Sequence, residues 1–240
     1  MNKLVIVVGA SSGIGKEIAK FLSTQGYKVV AIARRAKKLE EISNFGIYTK
    51  VFDVVRHNEV KSLFKEIVEE HGKIMSLVYC AGIQNICPLR LLDIDSAKEI
   101  FDVNYFAALN FAKNFSSKLF RNSENASMLF ISSIAGNKPE PGIVNYSASK
   151  SSINNLTRGL ARELAPIRVN AIAPGFVITE MTNKFPEIYS KSFIEKLEKH
   201  LPLEITSSDD IANMVGFLIS ESAKNITGNI INIDGGASVL

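Results

Sequence analysis

The stretch KLVIVVGASSGIG (residues 3–15) decides the fold, because an apolar run passes directly into a glycine-rich turn. The run is apolar on both faces, as a buried parallel strand requires. Glycines at this turn let the backbone approach a ligand, and the helix predicted next presents free N–H groups to a phosphate. The order strand, glycine turn and helix predicts a dinucleotide pyrophosphate site, although the spacing is G-x-x-x-G-x-G. The alternative is a glycine-rich loop without a ligand. The candidate contacts are Gly9, Ser11, Ser12, Gly13, Ile14 and Gly15.

A second predicted strand, residues 27–33, ends in a pair of arginines, Arg34 and Arg35. In a dinucleotide fold this position, about 20 residues after the glycine turn, meets the adenosine ribose. A carboxylate there would indicate NAD, whereas arginines suit a 2′-phosphate. The pair, with Arg34 ranked first and Arg35 or Ser12 assisting, therefore predicts NADP(H) in preference to NAD(H). The alternative is a solvated pair that opens the next helix.

Predicted strands alternate with predicted helices along the whole chain. This rhythm implies right-handed crossovers and a parallel sheet covered on both faces. We therefore expect an α/β fold: a single-domain, Rossmann-type doubly wound parallel sheet of about seven strands, with helices on both faces, over residues 1–240. A polar, helix-prone segment at 179–202 is predicted to be a helical substrate lid. The predicted strands are 3–8, 27–33, 46–54, 76–82, 126–133, 168–175 and 229–236, and the two longest helices are 96–120 and 146–164.

Composition narrows the function classes. The chain has 240 residues, 46% hydrophobic and 22% charged, which suits one large α/β domain. The net charge of +4 comes from scattered basic residues, which argues against nucleic-acid binding. Cys80 and Cys87, with three histidines, make no metal-ligand spacing, so we expect reduced thiols and no metal. No apolar run reaches about 18 residues, so we expect a cytoplasmic protein with no membrane partner.

The pentapeptide Tyr146-Ser-Ala-Ser-Lys150 places a phenol and an ammonium one helical turn apart. Lowering a tyrosine pKa from about 10 to about 7 requires roughly 4 kcal/mol. A unit charge at about 4 Å, with an effective dielectric near 20, supplies roughly that amount. The pair therefore predicts proton transfer at neutral pH. The alternative is a surface tyrosine packed along a lysine stem.

Motifs in a fixed order identify a family. Over nearly its whole length the chain resembles the short-chain dehydrogenase/reductase family, and most closely the bacterial 3-oxoacyl-[acyl-carrier-protein] reductases. Any one of these motifs is weak evidence, but the set in this order is specific. The motifs are GASSGIG (9–15), CAG (80–82), VN ending in Asn104, ISS ending in Ser133, YSASK (146–150), PGFVIT (174–179) and ITGNIINIDGG (226–236).

The resemblance implies roles for particular residues. Tyr146 would protonate the carbonyl oxygen, and Lys150 would lower the Tyr146 pKa and hold the nicotinamide ribose. Ser133 would hydrogen-bond the substrate oxygen, Asn104 would position a water in a proton relay, and Ser132 is left a structural role. Val177 and Thr179 would contact the nicotinamide end and Asp53 the adenine. The remaining expected cofactor contacts are Val54, Cys80, Ala81, Gly82, Pro174 and Gly175.

Two departures from the family pattern bear on the function. Val8 and Cys80 stand where the family usually has Thr and Asn, so side-chain hydrogen bonds between neighbouring loops are lost. The join ELAPIRVN (163–170) is also short, which puts an acyl-carrier surface in doubt.

The function implied is NADPH-dependent reduction of a ketone to a secondary alcohol, with a proton from Tyr146. A 3-oxoacyl thioester ranks first as substrate, and a sugar, polyol or steroid-type alcohol second. Enoyl reduction is disfavoured, because those relatives place the Lys farther from the Tyr. An alternative of a different class is a regulatory protein that senses NADP without turnover.

The resemblance also implies a homotetramer, or a homodimer, that pairs helices 96–120 and 146–164 with their copies. Apolar residues on more than one side of the first helix support this expectation. One candidate interface stripe is Phe101, Tyr105, Ala108, Ala112 and Phe115.

Overall fold

Seven strands form one sheet in the computed structural model, which describes residues 3–122 and 124–240. The strand order across the sheet is β3-β2-β1-β4-β5-β6-β7, and every neighbouring pair is parallel. The predicted doubly wound sheet is therefore confirmed, with strands shorter at their ends than predicted. The strands are β1 Leu4–Val8, β2 Lys28–Ala33, β3 Tyr48–Val51, β4 Ser76–Tyr79, β5 Ser127–Ile131, β6 Arg168–Pro174 and β7 Ile230–Ile233.

Helices follow most strands and cover both faces of the sheet. Their bounds are α1 Gly13–Thr24, α2 Ala36–Ser43, α3 Val60–His71, α4 Ile94–Phe101, α5 Ala107–Ser116, α6 Val144–Glu163, α7 Lys191–His200 and α8 Ser208–Ile219.

The helix predicted over 96–120 is interrupted. It runs from α4 into a π segment, Asp102–Phe106, and continues as α5 to Ser116. At the end of the π segment the N–H of Ala107 donates to the carbonyl of Asp102, five residues earlier. A π segment inside an α-helix is rare and is found mostly at functional sites.

The sheet separates two hydrophobic layers, and β1 contributes to both. Leu4, Ile6 and Val8 face one layer, whereas Val5 and Val7 face the other. This alternation is the two-residue period of a strand whose two faces are both covered. The first layer includes Phe64, Phe111 and Phe115, and the second includes Ile18, Leu22 and Val215.

The strand order reverses between β1 and β4, which are neighbours in the sheet. In such sheets ligands bind in the crevice outside the carboxyl ends of the strands at this point. Here the loops after β1 and β4 approach closely: a Cβ built on Gly9, whose φ is +87°, would lie 2.5 Å from the backbone nitrogen of Ala81. Gly9 is therefore needed to let the two loops meet beside the crevice.

The described residues include neither a helix that could span a membrane nor a cluster of potential metal ligands. No helix among them has both the length and the apolar character needed to cross a membrane. No group of three or more His, Cys, Asp or Glu side chains among them could hold a metal ion.

Candidate active site

Helix α1 begins at the glycine turn with its first N–H groups available. These groups have no acceptor within the helix. Ser12 at the N-cap makes no side-chain capping bond, and the first turn contains no acidic residue. By contrast, α8 begins with a reciprocal capping box between Ser207 and Asp210. The start of α1 therefore fits the pyrophosphate of a dinucleotide, which would accept hydrogen bonds from these groups.

Arg35 lies against the glycine turn. Its Nε and Nη2 donate to Ser11 Oγ at 3.1 and 3.0 Å, and Nη2 also donates to Ser12 Oγ at 2.6 Å. Its Nη1 forms an ion pair with Glu180. A guanidinium fixed beside a helix N-terminus in this way is suited to a phosphate group.

Arg34 does not contact the glycine turn in this way but forms an ion pair with Asp53. Its Nη1 is 3.5 Å from Asp53 Oδ2, and its side chain is 58% exposed. Arg35 rather than Arg34 therefore lies against the glycine turn, and the ranking of Arg34 first as the 2′-phosphate contact stays a prediction. Of the other predicted contacts here, Val54 is buried in the core.

Three predicted side chains converge at the end of β5. Lys150 is 5% exposed, its Nζ donates to the Ile131 carbonyl at 2.9 Å, and Nζ is 5.7 Å from the centroid of the Tyr146 ring. A hydrogen bond with the Ser133 hydroxyl acts to lower the pKa of Tyr146. The strand end and the first turns of α6 therefore bring a hydroxyl, a phenol and an ammonium into one site.

The pKa values of this group differ from the expectation that Lys150 lowers that of Tyr146. Burial, with a smaller electrostatic contribution from Tyr189, raises the pKa of Tyr146 to about 12 despite the Ser133 hydrogen bond. Burial also lowers the pKa of Lys150 to about 8. Both shifts have one cause, because an environment poor in water disfavours phenolate and ammonium alike.

Asn104 lies in the π segment and is 1% exposed. Its Oδ1 accepts from the backbone N–H of Ile83 at 2.8 Å, and its Nδ2 donates to the Ile83 carbonyl at 3.0 Å and to Ser149 Oγ at 2.9 Å. Ser149 Oγ in turn donates to the Tyr146 carbonyl at 2.7 Å. Asn104 thus links the loop after β4 to Ser149 in the second turn of α6, and both of its amide hydrogens are used. Its role in a water relay stays a prediction.

Ser132 and Ser133 differ as expected. Ser132 Oγ donates to Asn154 Oδ1 at 2.6 Å and to the Lys150 carbonyl at 3.2 Å. The hydroxyl of Ser132 therefore holds β5 to the body of α6, and the structural role predicted for it is confirmed.

The two positions that depart from the family pattern, Val8 and Cys80, are joined through the backbone. The N–H of Cys80 donates to the Val8 carbonyl at 2.8 Å, which links the two strand ends without the Thr and Asn side chains. Burial raises the pKa of the Cys80 thiol to about 12, although Lys150 acts to lower it. A Cβ on Gly82 would lie 3.4 Å from Lys150 Nζ, so glycine leaves open space beside the ammonium.

The chain after β6 returns to the glycine turn. A Cβ on Gly13 would lie 3.3 Å from the side chain of Thr179, which places Thr179 against the turn as predicted for a cofactor contact. Val177 is 6% exposed and packs into the core, so its side chain does not line the crevice. A Cβ on Gly175, the residue after Pro174, would lie 2.8 Å from Asp234 Cα.

Part of the 179–202 segment is helical, as expected. It holds a short turn at Thr182–Lys184 and helix α7. Tyr189 and Phe193 pack on Phe176, with ring centroids 5.0 and 5.3 Å from it.

Two residues near the site were not predicted from the sequence: Tyr189 of this segment and Gln84 of the loop after β4. Gln84 Nε2 donates to Tyr189 Oη at 3.2 Å, and Tyr189 acts on the pKa of Tyr146. The available signal was the spacing of four residues between Phe185, Tyr189 and Phe193 in a polar stretch.

The expected interface stripe is wrong for most of its members. Ala108, Ala112 and Phe115 are buried in the core of their own chain. The apolar residues of this helix that remain open are Phe106, 51% exposed, and Ile94, 64% exposed. The side of the helix on which the stripe was expected therefore packs into the core of its own chain.

Comparisons with known proteins agree with this geometry. A family model described as short chain dehydrogenase matches residues 3–189. The chain is 35% identical over 246 residues to the 3-oxoacyl-[acyl-carrier-protein] reductase FabG of Staphylococcus epidermidis, covering 98% of this chain and 99% of that one.

Solved structures are similar over the full chain. One is a variant of actinorhodin polyketide ketoreductase with NADPH, with a TM-score of 0.91 and 27% identity over 100% of this chain and 98% of that one. Another is the ligand-free aldohexose dehydrogenase of Thermoplasma acidophilum, with a TM-score of 0.90 and 28% identity over 100% and 95%.

Proposed function

The chain belongs to the short-chain dehydrogenase family and is thus an NAD(P)-dependent oxidoreductase; from this premise we propose that it is an NADPH-dependent reductase of 3-oxoacyl thioesters. Reduced nicotinamide, when bound, supplies a hydride to the carbonyl carbon. The protein supplies the proton to the carbonyl oxygen and holds that oxygen in place.

The observation that carries the proposal is the convergence of Ser133, Tyr146 and Lys150. With its pKa near 12, the Tyr146 hydroxyl keeps its proton at neutral pH and is available as an acid. Ser133 hydrogen-bonds the substrate oxygen beside it. Lys150, held by the Ile131 carbonyl at 2.9 Å, places a positive charge over the Tyr146 ring, where it favours the phenolate formed as the proton leaves.

The preference for NADPH is supported by Arg35. The arginine is fixed on Ser11 and Ser12, beside the start of α1, where the adenosine end of a dinucleotide lies in this fold. Ala33, the last residue of β2, offers no carboxylate to bind the ribose hydroxyls or to repel a phosphate. One relative of known structure is described with NADPH.

The substrate class is supported by the aromatic residues near Tyr146. We propose that residues 179–202 form a lid in which the half-buried rings of Tyr189 and Phe193 pack with Phe176, and that these three rings contact an acyl chain. Gln84 and the Tyr189 hydroxyl are polar groups suited to one further carbonyl, such as that of a thioester. A sugar would leave several hydroxyl groups unpaired beside these rings, which costs binding energy.

The proposal includes a homotetramer in the cytoplasm. The open apolar residues Ile94 and Phe106 border a groove that Asn145 of α6 also lines, so both long helices contribute to one face. A second copy related by a two-fold axis would cover the same face in both chains. Both thiols, Cys80 and Cys87, are free, in keeping with a reducing compartment.

The test is consumption of NADPH by the purified protein with a panel of substrates. We expect the highest kcat/KM with acetoacetyl-coenzyme A, lower values with simple ketones of the same length, and little oxidation of aldohexoses with NADP. Preferred turnover of an aldohexose would mean that the substrate is a sugar and not an acyl thioester. Tight NADPH binding without turnover of any carbonyl would favour the regulatory alternative.

A further inference from the structure

Glu180 connects the lid to the glycine turn. Its carboxylate pairs with Nη1 of Arg35, which is 145 residues away in the chain. The preceding residue, Thr179, lies against Gly13, and its N–H donates to Thr182 Oγ1 at 2.9 Å. Glu180 therefore lies at the base of the lid and touches the arginine beside the cofactor site.

Each of the three guanidinium nitrogens of Arg35 has a partner in this arrangement. Nε and Nη2 donate to Ser11 and Ser12, and Nη1 is occupied by Glu180. Both side chains of the ion pair are 43% exposed, and exposed pairs contribute little to the stability of a fold. The main effect of the ion pair is therefore on which other groups Arg35 can bind.

A 2′-phosphate near Arg35 would compete with Glu180 for the same donors. The two anions also repel each other, so the carboxylate opposes the phosphate in two ways. Lys38 is another cation that acts on the Glu180 carboxylate, so a carboxylate that leaves Arg35 still has a positive charge near it.

We propose that Glu180 is a specificity-determining residue that occupies Arg35 until a 2′-phosphate displaces it, and that this displacement frees the base of the lid. The inference rests on the proposed NADPH dependence. It makes two claims about this chain: Glu180 moderates the affinity for the phosphate, and the mobility of the lid reports which cofactor is bound.

The first test uses two fragments that differ only in the group concerned, adenosine 2′,5′-bisphosphate and adenosine 5′-monophosphate, measured by titration calorimetry on the full-length protein. In Glu180→Gln we expect the bisphosphate to bind about 3- to 10-fold tighter and the monophosphate to bind as in the parent. The control is Glu187→Gln, an exposed lid carboxylate, which should bind both fragments as the parent does.

The second test is hydrogen exchange of residues 179–202. In the parent we expect the bisphosphate to speed exchange at the base of the lid and the monophosphate to leave it unchanged. In Glu180→Gln exchange should already be fast there and should not respond to either fragment.

The inference would be overturned if Glu180→Gln bound the bisphosphate as the parent does. It would also be overturned if hydrogen exchange of the lid in the parent were the same with either fragment. Both outcomes would leave the reductase proposal intact. The expected fragment responses in a protein that reduces no ketone would overturn the reductase proposal instead. Equal affinity of the parent for the two fragments would mean that there is no site for the 2′-phosphate, and the inference would then fail as well.

Discussion

The ammonium of Lys150 lies 5.7 Å from the centroid of the Tyr146 ring. The pKa of Tyr146 is raised to about 12 and that of Lys150 is lowered to about 8, so the pair is a neutral phenol beside an ammonium at pH 7. Carbonyl reduction requires this state, because Tyr146 must hold the proton that it donates to the carbonyl oxygen.

Replacing Tyr146 by Phe removes the proposed acid and little volume. We expect reductase turnover to fall by about 10²- to 10⁴-fold, with NADPH affinity close to that of the parent. Steady-state kinetics and calorimetry measure the two quantities. The matched control is Tyr48→Phe on the edge strand, which should leave turnover unchanged, and near-parental turnover in Tyr146→Phe would exclude this residue as the acid.

Burial of Lys150 makes stability depend on pH. Below pH 8 the folded and the unfolded chain both carry the proton, whereas between about 8 and 10.5 only the unfolded chain keeps it. The free energy of unfolding of the parent, relative to Lys150→Met, should therefore rise by about 2 to 3 kcal/mol from pH 7 to pH 10.

Urea unfolding of the parent and Lys150→Met at both pH values, at one protein concentration, measures this difference. The hydrogen bond to the Ile131 carbonyl is lost in the variant at every pH, so to first order it does not change the slope. A constant or falling difference would mean that Lys150 keeps an ordinary pKa in the folded chain.

The two adjacent arginines should differ in their effect on cofactor preference. Arg35→Ala should reduce the ratio of kcat/KM for NADPH to that for NADH by about 10-fold or more, because charge-assisted bonds of roughly 1.5 to 3 kcal/mol are lost. Arg34→Ala, which frees Asp53, is the matched control and should change the ratio by less than about threefold. A larger drop in this ratio for Arg34→Ala than for Arg35→Ala would indicate that Arg34 makes the phosphate contact.

Phe106 provides a test of assembly. Light scattering of the parent should give a mass near four times the chain mass of 26.3 kDa. Phe106→Glu adds a charge to an exposed ring position, so it should weaken association without unfolding the chain. A parent that is monomeric at micromolar concentration would reject the homotetramer, and an unchanged mass in the variant would place the interface elsewhere.

Much of the fold could be predicted because buried parallel strands leave a strong signal. The run Leu4–Val8 is covered on both faces, so every residue in it is apolar. Arg168–Pro174 is also buried throughout and is apolar except at Arg168 and Asn170. The glycine turn and the pair Tyr146 and Lys150 were also found, because their spacing along the chain sets their spacing in the structure.

The remainder depends on packing that has no local signal. Which of two adjacent arginines faces the glycine turn is set by the exact end of β2. Glu180 meets Arg35 only because the chain after β6 returns to the start of α1. The raised pKa of Tyr146 arises mainly from burial in the folded chain, with a smaller electrostatic contribution from Tyr189, which is distant in sequence.

The π segment Asp102–Phe106 also constrains the length of the chain. A π turn holds one residue more than an α-helical turn, so deleting a single residue here would let α4 and α5 join as one regular helix. Each residue of a regular helix adds about 100° of rotation, and the π turn takes up its extra residue without that rotation, so α4 and α5 would keep their relative rotation after the deletion. The deletion would instead redirect the side chains within the turn, Asn104 among them, and so move Asn104 away from Ser149. The extra residue is thus an insertion that the helix cannot lose without breaking its link to the loop after β4.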